Sequence, residues 1–278
     1  MSTWRTLVRD VAEADEEVRE GHLQRSLSLI AGLSSILSGA EVLYEHYRGS
    51  YGHRIMYSPV LLSPLLLGAG VAGVFSRRAA RRLLPAVSIL VLADGVTGFG
   101  FHVRGICRKP GGWRLPVANI IMGPPIFAPL LFGVSGYVGL LAPILRIREG
   151  RYQKHLAAAT AASSLFSGFE ALYSHYKNNF RYPMQWTPIA LSGLLTGVAL
   201  AAVGSPRVAR TWLPAVSLLA MADGGIGFYY HARGVMRRPG GLSRPFYNVM
   251  YGPPIFAPLL FAACGFLGGL ASLLRREA

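Results

Sequence analysis

Acidic residues are scarce in this chain, with thirteen Asp and Glu against twenty-eight Lys and Arg. Six of the thirteen fall in residues 1–25, so only seven carboxylates remain for everything that follows. Cysteine is scarcer still. Cys107 and Cys264 are the only two, one expected in a loop and one inside the last apolar segment, which excludes a disulfide scaffold and a Cys-based metal site. No N-terminal stretch has the basic, apolar and small-residue order of a cleavable signal peptide, so the first hydrophobic segment is expected to stay in the mature protein. The Arg108-Lys109-Pro110-Gly111-Gly112 loop and its copy Arg237-Arg238-Pro239-Gly240-Gly241 lack both the glycine spacing and the preceding strand of a nucleotide-binding loop.

What the chain does have is apolar surface and an internal duplication. Hydrophobic residues make up 52% of it and charged residues 15%, a composition whose natural solvent is lipid. Eight segments are long enough to cross a hydrocarbon core of about 30 Å. They lie near 26–47, 58–76, 83–103, 124–145, 156–176, 187–205, 212–232 and 253–274. The expected fold class is an all-α integral membrane protein of eight transmembrane helices, arranged as two parallel four-helix repeats. Residues 1–25 form an amphipathic acidic segment, 26–149 the first repeat and 155–278 the second.

The second half repeats the first at an offset of 129 residues without a gap. Ser38-Gly39-x-Glu41-x-x-Tyr44-x-His46-Tyr47 returns as Ser167-Gly168-x-Glu170-x-x-Tyr173-x-His175-Tyr176. Asp94-Gly95-x-x-Gly98-Phe99-x-x-His102-x-Arg104-Gly105 returns as Asp223 to Gly234, and the nine residues Pro124 to Phe132 return unchanged as Pro253 to Phe261. Residues that survive in both copies are those that neither copy could lose. Four spans per repeat is an even number, so both copies enter the membrane from the same side, unlike inverted-repeat transporters.

The net charge of +15 does not point to nucleic acid, because the basic residues are divided among short loops on two faces. Sixteen Lys and Arg share the side of the N-terminus and twelve lie opposite, which places the N-terminus in the cytoplasm of a multi-pass inner-membrane protein. Membrane lipid is the expected partner of much of this charge. The basic loops 104–116 and 233–244 are the expected dock for a protein subunit.

An ionisable residue inside a span costs about 2.5–3.5 kcal/mol on insertion scales, so it persists when it is paired or used. Glu41, Asp94, Glu170 and Asp223 are repeated and lie within spans. With Tyr44 and Tyr173 they are the candidate catalytic groups. His46, His102, His175, His231, Arg104 and Arg233 are the candidate cofactor-binding groups. Glu41 is expected about 7 Å deeper than His46, and Asp94 about 12 Å deeper than His102, from the rise of a helix. Each copy then holds one polar funnel, open on the side opposite the N-terminus and closed by an apolar inner half.

Three readings of the funnel follow. Glu41, His46, Asp94 and His102 as ligands of one metal conflict with their positions around and along their helices, since ligands converge to roughly 2 Å from one point. A haem b held through His46 and His102, and through His175 and His231, fits histidines at equal depth on two helices. Gly95, Gly98 and Gly105 would let the flat ring approach, and Arg104 would meet its propionates. A quinone pocket uses the same groups. Tyr44 or His46 would hold a quinone carbonyl, and Glu41 or Asp94 would exchange the accompanying proton.

The arrangement is similar in outline to the membrane subunits of polysulfide-reductase-like quinone oxidoreductases, a likeness of architecture from which no residue is carried over. The expected function is a membrane-embedded redox subunit that anchors a partner and passes electrons to or from quinone or haem b. The alternatives are a proton- or ion-coupled transporter using Asp94 and Asp223, and a non-catalytic scaffold. Pro124-Pro125 is expected to open the fourth span, with Pro129 bending it.

Overall fold

The computed structural model describes residues 23–143 and 151–273, all helices, turns and loops with no strand among them. The acidic segment expected over residues 1–25 lies almost wholly outside the described residues. The first half supplies α1 (Leu23–Arg48), α2 (Ser58–Phe75), α3 (Arg77–Cys107), the short α4 (Pro116–Ile121) and α5 (Ala128–Leu141). The second half supplies α6 (Arg151–Lys177), α7 (Thr187–Gly204), α8 (Pro206–Met236), the short α9 (Pro245–Tyr251) and α10 (Ala257–Leu273).

Local chemistry sets these boundaries. Pro59 and Pro188 sit in the first turns of α2 and α7, where a missing amide is harmless. Ser76 and Ser205 cap α3 and α8 by accepting from the Ala79 and Val208 amides. At the far ends, two consecutive glycines with positive φ, Gly111 (80°) and Gly112 (47°), turn the chain back, as do Gly240 and Gly241. Asn119 locks the first turn by donating through Nδ2 to the Pro110 and Gly112 carbonyls, at 3.0 and 2.8 Å. Asn248, fully buried, makes the same two bonds to Pro239 and Gly241.

Two expectations about the repeated Pro-Pro block change here. The fourth apolar helix opens at Ala128 and not at Pro124, and residues 122–127 before it are turns and bends. Pro129 consequently lies in the first turn of α5 and bends nothing. The residue before a proline is disfavoured in helical conformation, so Pro124 and Pro125 keep Gly123 and Pro124 out of a helix. Cys107, expected in a loop, is the last residue of α3, and its Sγ accepts from the Trp113 indole at 2.7 Å.

Helices α1, α5, α6 and α10 form the centre, α5 packing on α6 and α10 on α1, while α2 with α3 and α7 with α8 flank them. One continuous apolar core joins both halves, including Leu27, Leu66, Phe132, Leu156, Leu195 and Phe261. The close crossings use small residues, the usual device of helices packed in lipid. A Cβ on Gly95 would stand 2.6 Å from the Pro129 carbonyl oxygen, and one on Gly224 2.6 Å from that of Pro258. Gly136 and Gly265 abut the Ser88 and Ser217 carbonyls in the same way, which gives a packing role to Leu84-Pro85-Ala86-Val87-Ser88 and to Leu213–Ser217, its copy 129 residues on.

Outward faces of the flanking helices carry exposed Leu61, Leu65, Ile89, Leu90, Leu218 and Leu219. A band of apolar side chains on that scale is unsuited to water. Four helical stretches among the described residues are long and apolar enough to cross a membrane: Gln24–Arg48, Arg54–Phe75, Arg77–Cys107 and Pro183–Gly204. Two shorter apolar helices, Ala128–Leu141 and Ala257–Leu273, accompany them.

Candidate functional site

The repeated polar residues separate into two environments. One lies within each half, and the other lies between the halves.

Within the first half, three helix ends converge. The His46 Nδ1 lies 2.7 Å from the Met56 carbonyl oxygen and the His102 Nδ1 2.6 Å from that of Pro125. His231 does the same with Pro254 at 2.6 Å. A carbonyl only accepts, so each Nδ1 carries the proton and donates it, and a neutral ring then presents Nε2 as its acceptor. His46 is within electrostatic reach of both Asp94 and His102, and His175 of His231. Asp94 Oδ1 lies 2.5 Å from the Ser58 hydroxyl, and Asp223 Oδ1 2.5 Å from that of Thr187. Arg104 and Arg233 stand in the last turns of α3 and α8, at the same end as these groups.

A strained turn completes this environment. Ser50 and Tyr51 both have positive φ, at 58° and 45°, and so do Asn179 and Phe180, at 54° and 45°. Successive non-glycine residues in this region cost of order 1–3 kcal/mol each and cluster at functional sites. Here the turn brings an aromatic ring beside two of the histidines: Tyr51 lies edge-on to His46 at 6.0 Å and Phe180 lies 6.4 Å from His175. Each ring also stacks on a second one, Tyr51 on Tyr57 at 4.2 Å and Phe180 on Trp186 at 3.9 Å.

Glu41, Tyr44, Glu170 and Tyr173 are elsewhere, in the seam between the halves. The Glu170 Oε1 accepts from the Phe127 amide at 2.8 Å, and the carboxylate is hydrogen-bonded also by the amide of Ala128, both at the start of α5 in the other half. Glu41 reaches the Phe256 amide before α10, while its buried Oε2 has no hydrogen-bond partner among the described residues. The Tyr44 hydroxyl donates to the Gly252 carbonyl at 3.2 Å and accepts from Arg48 at 2.8 Å. Arg48 pairs with Glu45 at 3.7 Å, and the Lys177 ammonium lies 4.4 Å from the centre of the Tyr173 ring. The two glutamates therefore exchange across the halves, each serving the helix start of the other copy. The single funnel expected to gather Glu41, His46, Asp94 and His102 is split.

The glycines expected to admit a macrocycle beside His102 are filled by the Pro-Pro block. A Cβ on Gly98 would meet Pro129 Cβ at 3.0 Å, and one on Gly105 would meet Pro124 Cγ at 3.3 Å. Among the described residues no group of three or more His, Cys, Asp or Glu is placed to hold a metal ion.

Ser58, Thr187, Tyr51, Phe180, Tyr57 and Trp186 do not stand out in the sequence as site residues, because strict identity between the copies passes over them. Each pair keeps its chemistry while changing its residue: hydroxyl for hydroxyl and aromatic for aromatic. Similarity at the 129-residue offset is the signal that finds them.

No protein-family model, curated protein or solved structure matches the chain, so its chemistry is read from its own residues.

Proposed function

We propose that the chain is a membrane-embedded redox subunit of a quinone-linked oxidoreductase complex. In this reading eight spans form two parallel four-helix repeats in the inner membrane, with the N-terminus cytoplasmic. Helix starts at Ser58 and Thr187, Arg77 and Pro206, and Ala128 and Ala257 support the duplication, each pair being 129 residues apart. The observation that carries the redox reading is the set of histidines whose Nδ1 is held by a backbone carbonyl.

A tethered imidazole has a fixed tautomer and a directed Nε2. When neutral it accepts a hydrogen bond from a quinol hydroxyl, and when protonated it donates to a quinone carbonyl. Stacked aromatic rings beside His46 and His175 suit a flat, apolar headgroup. Quinone is favoured over haem b because the glycines beside His102 are occupied by protein. A partner subunit docked at loops 104–116 and 233–244 supplies or removes the electrons. These loops present Arg108, Lys109, Arg114, Arg237, Arg238 and Arg244 to an acidic surface.

The test is binding of a short-chain benzoquinone to the protein in liposomes, followed by quenching of its tryptophan fluorescence. The His102→Ala/His231→Ala double variant should weaken binding at least about tenfold, the scale of losing hydrogen bonds worth about 1.4 kcal/mol or more. Unchanged binding in the double variant, or no binding by the wild type, overturns the quinone assignment. A b-type signal in the reduced-minus-oxidised spectrum would replace quinone by haem. Proton or ion flux by the chain alone would replace both by a transporter.

A further inference from the structure

The hydroxyl that meets each half-buried aspartate has more acceptors than hydrogens. Ser58 Oγ lies 2.7 Å from the Ile55 carbonyl oxygen and 2.5 Å from Asp94 Oδ1. Thr187 Oγ1 lies 2.9 Å from the Met184 carbonyl oxygen and 2.5 Å from Asp223 Oδ1. A hydroxyl carries one hydrogen. If the carboxylate were ionised, it and the carbonyl would compete for that hydrogen, leaving one oxygen pair in close contact with nothing between them. A proton on the carboxyl removes the conflict: the acid donates to the hydroxyl, and the hydroxyl donates to the carbonyl. The same three-group chain occurs in both halves although Ser58 has become Thr187 and Ile55 has become Met184, so the hydroxyl is kept while its surroundings change.

The environment of each carboxyl agrees. No Lys or Arg lies among residues 83–103, 58–76, 212–232 or 187–205, so no cation on these stretches of α3, α2, α8 or α7 stands ready to hold a carboxylate as an anion. Pro129 and Gly133 of α5, which pack against the neighbouring Gly95, are not titratable. Among the described residues, the titratable side chain in electrostatic reach of Asp94 is His46 of α1. Glu170 is the contrast within the same chain: its two partners are amides that donate to it, so its hydrogen bonds need no proton on the carboxyl.

We propose that Asp94 and Asp223 are proton-storage sites, each holding a carboxyl proton at rest that it donates to Ser58 or Thr187. Release from Asp94 leaves the carboxylate accepting from the Ser58 hydroxyl, and the proton passes to His46. No electron moves in this step. The assignment stands on hydrogen-bond stoichiometry and is independent of the quinone reading.

Infrared spectroscopy of the purified protein in liposomes at neutral pH, with no quinone present, tests it. The wild type should show a deuterium-sensitive carboxylic C=O band. Asp94→Asn and Asp223→Asn should each remove about half of the component lost in the double variant, since each acid carries one proton. Asparagine keeps both a donor and an acceptor, so the fold is retained. Ser58→Ala and Thr187→Ala should shift the remaining band by removing its acceptor, and they give the same information if an Asn variant fails to fold. A spectrum without a carboxylic band, or a band unchanged by both Asn substitutions and both Ala substitutions, overturns the proposal. Loss of quinone binding alone leaves the infrared result in place.

Discussion

Removing the Glu170 carboxylate should destabilise the protein more than removing its repeat counterpart Glu41. The first turn of α5 allows a full accounting of amides. Leu130 and Leu131 donate to the Phe127 carbonyl at 3.0 and 3.1 Å, and Pro129 has no amide hydrogen. Phe127 and Ala128 remain, and both point at Glu170, because the N-cap residue, Phe127, has no side chain able to accept. A buried amide left without an acceptor costs about 1–3 kcal/mol. Glu170→Ala leaves two such donors unpaired at once, and a loss of about 2–6 kcal/mol follows. Glu170→Gln keeps one carbonyl acceptor and should lose about half as much. Glu41 meets the Phe256 amide and has a buried oxygen with no hydrogen-bond partner among the described residues, so Glu41→Ala should cost less than Glu170→Ala. Reversible unfolding in mixed micelles with rising sodium dodecyl sulfate measures all three. A Glu170→Ala protein within about 0.5 kcal/mol of wild type, the range of a neutral surface change, would refute the cross-half cap.

Two further substitutions probe the packing and the loops. Gly95→Ala places a methyl 2.6 Å from the Pro129 carbonyl oxygen and 2.7 Å from Gly133 Cα; backbone cannot yield as a side chain can, so a loss of about 1–3 kcal/mol is expected in the same assay, while Gly100→Ala, with nothing within 4 Å, should be neutral or stabilising. Gly240→Ala forces a side chain into φ 84°, at a cost of about 1–2 kcal/mol, and faster proteolysis of loop 237–244 than in wild type would report the loosened turn.

The sequence determined the all-helical class, the apolar composition and the duplication, because these are properties of composition and of spacing along one chain. It also singled out Asp94, His102 and the Pro-Pro block as repeated together. What it could not decide was which repeated polar groups share a site. Glu41 and Asp94 look alike in sequence, both acidic residues in apolar helices, yet one turns across the seam to the start of α10 and the other turns within its own half to Ser58. That choice depends on how far the chain leaves helical geometry at 123–127 and 252–256, where the prolines expose the amides that the glutamates satisfy. Tertiary structure alone sets it, because a helix start unable to cap itself must find its acceptor elsewhere, and the nearest carboxylate belongs to the other copy.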